Sequence, residues 1–220
     1  MQNIIKIALK QGLPGWKSHI KLAPIERLGS IMNHAKRTDS KQSAVLLILF
    51  KEKDQIKILF ILRSEYDGVH SGQISFPGGQ KELADADLKA TAVRETMEEI
   101  GVKFKTEDIL GKLTDLYIPK SNFIVSPYVT FFDGNISDFK LDPIEVQQVY
   151  KIALSDLMDE NSIKIKEVLS VGNQALKAPC FCVEDLKIWG ATAMILNELL
   201  DVLKKNNSFE LDPKKMRTQR

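Results

Sequence analysis

The sequence predicts a mixed β-sheet packed between helices, an α/β/α sandwich of the α+β class, in one principal domain. Three observations lead there. Apolar, β-branched runs recur at strand length, and two well-separated segments carry helical periodicity. A chain of 220 residues with 44% hydrophobic content can bury one good core, and no shift in composition demands a second domain.

Residues 1–40 read as a lead-in that packs on the main fold, residues 41–206 as the main domain and residues 207–220 as a basic, solvated tail. The lead-in is punctuated by Leu13-Pro14-Gly15, and a helix is expected over residues 25–35, ending in basic residues that suit a helix C-terminus. Two strands are expected at 44–50 and 56–62, joined by the charged turn Lys51-Glu52-Lys53-Asp54-Gln55. Their continuous hydrophobicity predicts cover on both faces.

A glycine-rich segment, 68–79, leads to Asp85 and Asp87, either of which can cap a helix over 87–100 that stops at Gly101. Leu88, Val93, Met97 and Ile100 are expected to supply its buried contacts, with Ala92 allowing close approach. Further strands are expected at 109–118, 123–132, 146–153, 163–169 and near Phe181, and a final amphipathic helix over 187–204.

The net charge of +2 comes from 31 basic and 29 acidic side chains mixed along the chain, which argues against a nucleic-acid or membrane binder. Cys180 and Cys182, one residue apart, are poor disulfide partners, and no Cys/His cluster points to zinc. The first residues lack the apolar run of a signal peptide, and the longest later run is too short to span a bilayer. A cytoplasmic protein is expected, and apolar surface on the N-terminal segment and last helix suits a homodimer.

The chemistry concentrates in Arg94-Glu95-Thr96-Met97-Glu98-Glu99. On a helix, Glu95 and Glu99 lie four apart and Glu98 three beyond Glu95, so three carboxylates share neighbouring positions. Read alone, the string also describes a solvated acidic face with Arg94 paired to Glu98. The preceding Phe76-Pro77-Gly78-Gly79 favours more, because such a backbone can approach phosphate or metal beside a helix N-terminus. Oxygen-only ligation suits Mg²⁺ or Mn²⁺.

These residues resemble the Nudix hydrolase signature, Gly-x5-Glu-x7-Arg-Glu-U-x-Glu-Glu-x-Gly-U, with U aliphatic. Gly79, Arg94-Glu95, Glu98-Glu99 and Gly101-Val102 take their places in it. Asp85 stands where the first glutamate belongs, eight residues instead of seven precede Arg94, and Thr96 falls at an aliphatic position. The aspartate and the extra residue resemble the Nudix subgroup that hydrolyses coenzyme A. That subgroup carries an upstream motif, Leu-Leu-Thr-x-Arg-Ser/Ala-x3-Arg-x3-Gly-x3-Phe-Pro-Gly-Gly. Leu59-Phe60-Ile61-Leu62-Arg63-Ser64, Gly72 and Phe76-Pro77-Gly78-Gly79 follow it in register, whereas Gly68 replaces its second arginine and Ile61 its threonine. The likeness continues through Leu13-Pro14-Gly15, Leu116-Tyr117-Ile118-Pro119, Ser121-Asn122-Phe123, Pro127 and Ile188-Trp189-Gly190-Ala191-Thr192-Ala193.

The resemblance implies metal-dependent hydrolysis of coenzyme A or an acyl derivative at its diphosphate, or of ADP-ribose, a dinucleotide or an oxidised nucleotide in a neighbouring subgroup. It implies Glu95 and Glu99 as metal ligands, Glu98 as a further ligand or a helper through water, and Arg94 as the residue that orients them. Arg63, Gly78 and Gly79 are implied in substrate binding, and a carbonyl of either glycine in reaching a metal. A module that only senses nucleotide would be expected to lack a box carboxylate, and all three are present. Glu145, after Asp142-Pro143, is a candidate general base from outside the box. His70 is a candidate substrate contact, while His19 and His34 have no partner in the sequence pattern. Tyr117, Phe123 and Tyr128 are able to stack on adenine or to fill the core.

Overall fold

The computed structural model describes residues 1–24, 39–64, 72–134, 139–170 and 174–205. The expected helix over 25–35, the tail, and Gly68, His70 and His34 lie outside these residues. In chain order the elements are α1 (Gln2–Lys10), α2 (Trp16–His19), β1 (Lys41–Glu52), β2 (Gln55–Arg63), β3 (Ile74–Ser75) and β4 (Gly78–Gln80). There follow α3 (Leu88–Ile100), β5 (Ile109–Lys112), β6 (Leu116–Ile118), β7 (Phe123–Phe132), β8 (Val146–Ala153) and α4 (Leu154–Met158). The chain continues through β9 (Ile163–Ser170), β10 (Gln174–Val183), β11 (Leu186–Ile188) and α5 (Gly190–Lys205).

The main sheet is mixed. Its path runs β3-β2-β1-β7-β5, with β4 also on β1, β6 on β7 and β8 on β2, while β11-β10-β9 form a second sheet. β1 is the axis. Along one edge it pairs in parallel with β7 from Lys41↔Phe123 to Phe50↔Phe132. Its other edge is shared: β2 takes Leu49 to Glu52, and β4 takes Ser43 to Val45.

Alternation along β1 divides its side chains between two cores. Leu47 and Leu49 join Ile58 and Phe60 of β2 in a core shared with α1 and α5, while Ala44, Leu46, Ile48 and Phe50 join Leu59 and Ile61 in a core under α3. Both faces are therefore covered, as the unbroken hydrophobicity of these strands predicts.

Three elements differ from expectation. The strand expected over 109–118 is two, β5 and β6, because Thr114 between them turns its backbone N–H and hydroxyl to Glu198 of α5, at 3.1 and 2.6 Å. The last helix starts at Gly190, since Leu186–Ile188 pair with β10. The helix α1 was not expected; Ile5, Ala8 and Leu9 sink one of its faces into the core.

No helix among the described residues is long and apolar enough to cross a membrane. Cys180 and Cys182 are free thiols.

Candidate metal centre and adjoining cleft

α3 begins at Asp87, whose carboxylate accepts from the Ala90 N–H at 2.9 Å, and ends at Gly101 in the left-handed conformation, φ +72°. Its buried side chains are Thr91, Ala92, Thr96, Glu99 and Ile100, with Leu88 and Val93 partly buried. Met97, expected inside, is exposed, because the face toward the sheet follows Ala92, Thr96 and Glu99. Thr96 occupies its aliphatic position without an orphaned hydroxyl: Oγ1 donates to the Ala92 carbonyl at 2.7 Å.

Asp85 has a different task from capping. Buried, it accepts from Arg94 Nε at 2.9 Å and Nη2 at 3.0 Å, from Thr91 Oγ1 at 3.0 Å and from the Glu82 N–H at 2.9 Å. The Arg94 fork holds its carboxyl well below the usual range, against the opposing effect of burial. The extra residue before Arg94 accompanies a side chain one methylene shorter than glutamate, and the carboxylate still meets the guanidinium in a two-pronged contact. Arg94 then spreads its remaining donors, Nη2 to the Gln80 carbonyl at 3.1 Å and Nη1 to Glu98 at 2.8 Å and Glu95 at 3.0 Å.

The three box glutamates have three environments: Glu98 is exposed, Glu95 is half-buried and Glu99 is wholly buried. Glu99 accepts from Arg63 Nη1 at 2.9 Å and from the Gly78 N–H at 2.8 Å. Burial pushes its carboxyl up to about 8; Arg63 and Gly78 oppose that shift, and Glu95 and Glu145 add to it. Burial also raises Glu95, with Arg94 opposing. Oxygens of Glu95, Glu99 and Glu145 lie within 4.8 Å of one another, and Arg63 Nη2 stands 4.0 Å from Glu145. Three converging carboxyl groups, one of them buried, form an oxygen-only donor set that fits a hard divalent cation, whose charge would favour the ionised form of all three and offset the burial of Glu99.

Gly78 is required sterically, and Gly79 leaves room for the Glu95 carboxylate. Gly78 has φ +147°, and a Cβ there would sit 2.2 Å from the Ala44 carbonyl oxygen; at Gly79 it would meet the Glu95 carboxylate at 2.5 Å. The pair lets β4 lie between β1 and α3, with the Gly78 N–H aimed at Glu99.

Beside this centre opens a cleft of about 580 Å³. Arg63, Gly78 and Gly79 line one end; Tyr117, Phe123 and Trp189 are among the walls. Thr192 at the start of α5 donates to the Ile74 carbonyl at 3.0 Å, tying the wall formed by α5 to β3. The structure thus brings Arg63, Gly78, Gly79, Glu95 and Glu99 together, leaves Glu98 on the outer side of Arg94, and adds Glu145. Tyr128 lies instead in the core under α3. His19 is buried against Glu198, away from the cleft. Sequence reading passed over Lys41 and Ser43 as cleft residues; their signal is the polar start of an otherwise apolar β1.

The NUDIX domain family model matches residues 40–168, more than half of the chain. Over 168 residues the chain is 29% identical to the mitochondrial coenzyme A diphosphatase NUDT8 of Homo sapiens, covering 76% of this chain and 71% of that protein. It is 28% identical over 162 residues to the Nudix hydrolase NudL of Photorhabdus laumondii, covering 74% of this chain and 85% of that one. A solved MutT/nudix family protein from Enterococcus faecalis shares the fold, with a TM-score of 0.57 at 15% identity over 86% of this chain and 72% of that one. With the box helix, its glycine strand and the carboxylate cluster in place, the match establishes that the chain belongs to the Nudix family of diphosphate-cleaving hydrolases.

Proposed function

We propose that the protein hydrolyses the diphosphate of coenzyme A or an acyl-coenzyme A, giving phosphopantetheine or its acyl derivative and adenosine 3′,5′-bisphosphate. The observation that carries this reading is the convergence of Glu95, Glu99 and Glu145 beside a cleft lined by Arg63, Phe76, Gly78 and Gly79, with Glu99 bonded to Arg63 and the Gly78 N–H. The coenzyme A assignment is supported by the register of residues 59–79 with the subgroup motif and by the similarity to a coenzyme A diphosphatase.

Glu95, Glu99 and Glu145 would hold Mg²⁺ or Mn²⁺, with Glu98 acting through water or by fixing Arg94. A divalent ion bound there offsets diphosphate charge and lowers the pKa of the attacking water. The water oxygen forms a bond to one phosphorus, the bridging P–O bond breaks, and the other phosphate leaves with the bridging oxygen. On this reading Glu145, the exposed member of the cluster, also takes the water's proton. Arg94 keeps Glu95 and Glu98 in position from behind, and Arg63 offers its guanidinium to the diphosphate from the cleft wall.

The test is incubation of purified protein with coenzyme A, an acyl-coenzyme A, ADP-ribose, NADH and nucleoside triphosphates in Mg²⁺ or Mn²⁺, with chromatography of the products. Adenosine 3′,5′-bisphosphate released from coenzyme A is the expected result. Turnover of ADP-ribose with coenzyme A untouched would overturn the substrate, and no turnover of any diphosphate would overturn the reading altogether.

A further inference from the structure

The cleft has a second end that the hydrolysis does not use. Lys41, Ser43 and Val45 alternate onto one face of β1, and Val45 pairs with Gly78 beside the carboxylates. Lys41 is four residues further along, about 13 Å at the rise of a strand. There it meets the turn between β6 and β7, whose Lys120 and Ser121 also line the cleft.

This end is built rigidly. Asn122 adopts φ +53°; its carbonyl accepts the Lys41 N–H at 2.9 Å, and its Oδ1 accepts from Tyr117 Oη and Ser40 Oγ, each at 3.1 Å. Its amide donates to the Asp39 carbonyl at 3.2 Å. The Lys41 ammonium lies over the Phe123 ring, 5.7 Å from its centroid.

Among the described residues, two side-chain oxygens are buried without a hydrogen-bond partner, Ser75 Oγ and Ser121 Oγ, and both serines line this cleft. Folded proteins rarely leave buried hydroxyls unmatched, so each of these has a hydrogen bond to offer to water, an ion or a bound ligand. Ser75 precedes the glycine strand, at the diphosphate end. Ser121 sits between Lys120 and the Asn122 anchor, next to Lys41.

Two ammonium groups and an orphaned hydroxyl suit a phosphate monoester. Coenzyme A carries one such group besides its diphosphate, on the ribose 3′-oxygen; ADP-ribose and NADH carry none. Building on the coenzyme A reading, we infer that Lys41, Lys120 and Ser121 form the subsite that receives the substrate's 3′-phosphate. The subsite makes that phosphate, rather than the adenine, the feature that separates coenzyme A from other nucleoside diphosphates.

The test compares coenzyme A with 3′-dephospho-coenzyme A in kcat/KM. Wild-type protein should favour coenzyme A by about ten-fold or more, the worth of one or two charge-assisted hydrogen bonds. The double substitution K41A/K120A should bring that ratio close to one through KM, and Ser121→Ala should narrow it by a few-fold. A wild-type ratio near one, or a double variant that depresses both substrates equally, would overturn the subsite while leaving the coenzyme A reading intact. If neither compound is cleaved, the coenzyme A reading itself fails. Calorimetric binding of adenosine 3′,5′-bisphosphate against adenosine 5′-phosphate then decides the subsite, and equal affinities would reject it.

Discussion

Two helices each bury a glutamate completely, and the two carboxylates are treated in opposite ways. Glu198 on α5 accepts from the Gly15 N–H, His19 Nε2, the Thr114 N–H and Thr114 Oγ1, at 3.1, 2.9, 3.1 and 2.6 Å. Although burial alone raises its pKa, the His19 and Thr114 hydrogen bonds together hold it below the ordinary value. Glu99 on α3 receives Arg63 and the Gly78 N–H, faces Glu95 and Glu145, and is pushed up to about 8. The difference separates a carboxylate that fastens two segments from one that faces two further carboxyls, as the proposed cation site requires. Burial is common to both; the donor set separates the structural carboxylate from the one that the proposed function assigns to the chemistry.

The sharpest way to break this comparison is to neutralise each group in turn. Glu99→Gln keeps the shape and removes a ligand charge, so kcat should fall by about 10³-fold with the fold retained, a loss comparable to removing a strong transition-state contact. Steady-state rates and a thermal melt check it, and unchanged turnover would refute the metal role.

Glu198→Gln should do the reverse. Its amide places a donor against groups that already donate, costing about 3 kcal/mol of stability by urea unfolding while kcat in the folded enzyme stays within a few-fold.

Acidity sharpens the contrast further. Between 4.5 and about 8, metal-free native protein holds a proton on Glu99 that the unfolded chain has released. The native state then binds more protons, so this group's contribution makes stability fall as pH rises through that window. Excess Mg²⁺ should flatten the dependence. Cation binding below pH 8 should also release protons, read by calorimetry in buffers of different ionisation enthalpy, with affinity rising with pH.

The smallest effect is expected at Thr96→Val, which restores an aliphatic residue to the box. Losing one back-bond to Ala92 while gaining apolar fill should change stability by no more than about 1 kcal/mol, read from the urea midpoint.

Much of this was legible in the chain where the signal is local. Asp87 and Gly101 bound α3 in the sequence as in the structure, and β7 and β8 occupy the expected residues, 123–132 and 146–153. What could not be read depends on partners far away. The break between β5 and β6 is caused by Thr114 reaching Glu198, 84 positions on. Asp85 looked like a cap because its partner, Arg94, lies on the helix wall rather than at its end. Glu145 was a loop carboxylate until the fold carried it to Glu95 and Glu99. The outward turn of Met97 follows from Glu99 pointing in, which no hydrophobic pattern announces.

The parallel pairing of β1 with β7 has a kinetic side. Residues about 82 positions apart must meet before Lys41 sits beside Phe123, and such distant closures are slow relative to hairpins and helices. The β1–β2 hairpin and α3 can form early, with every box residue present, yet the carboxylate cluster waits for β8 to deliver the segment that holds Glu145. Cation binding during refolding should therefore report the closing of the whole sheet, and a nascent chain that has just emerged through α3 carries the motif without the means to use it.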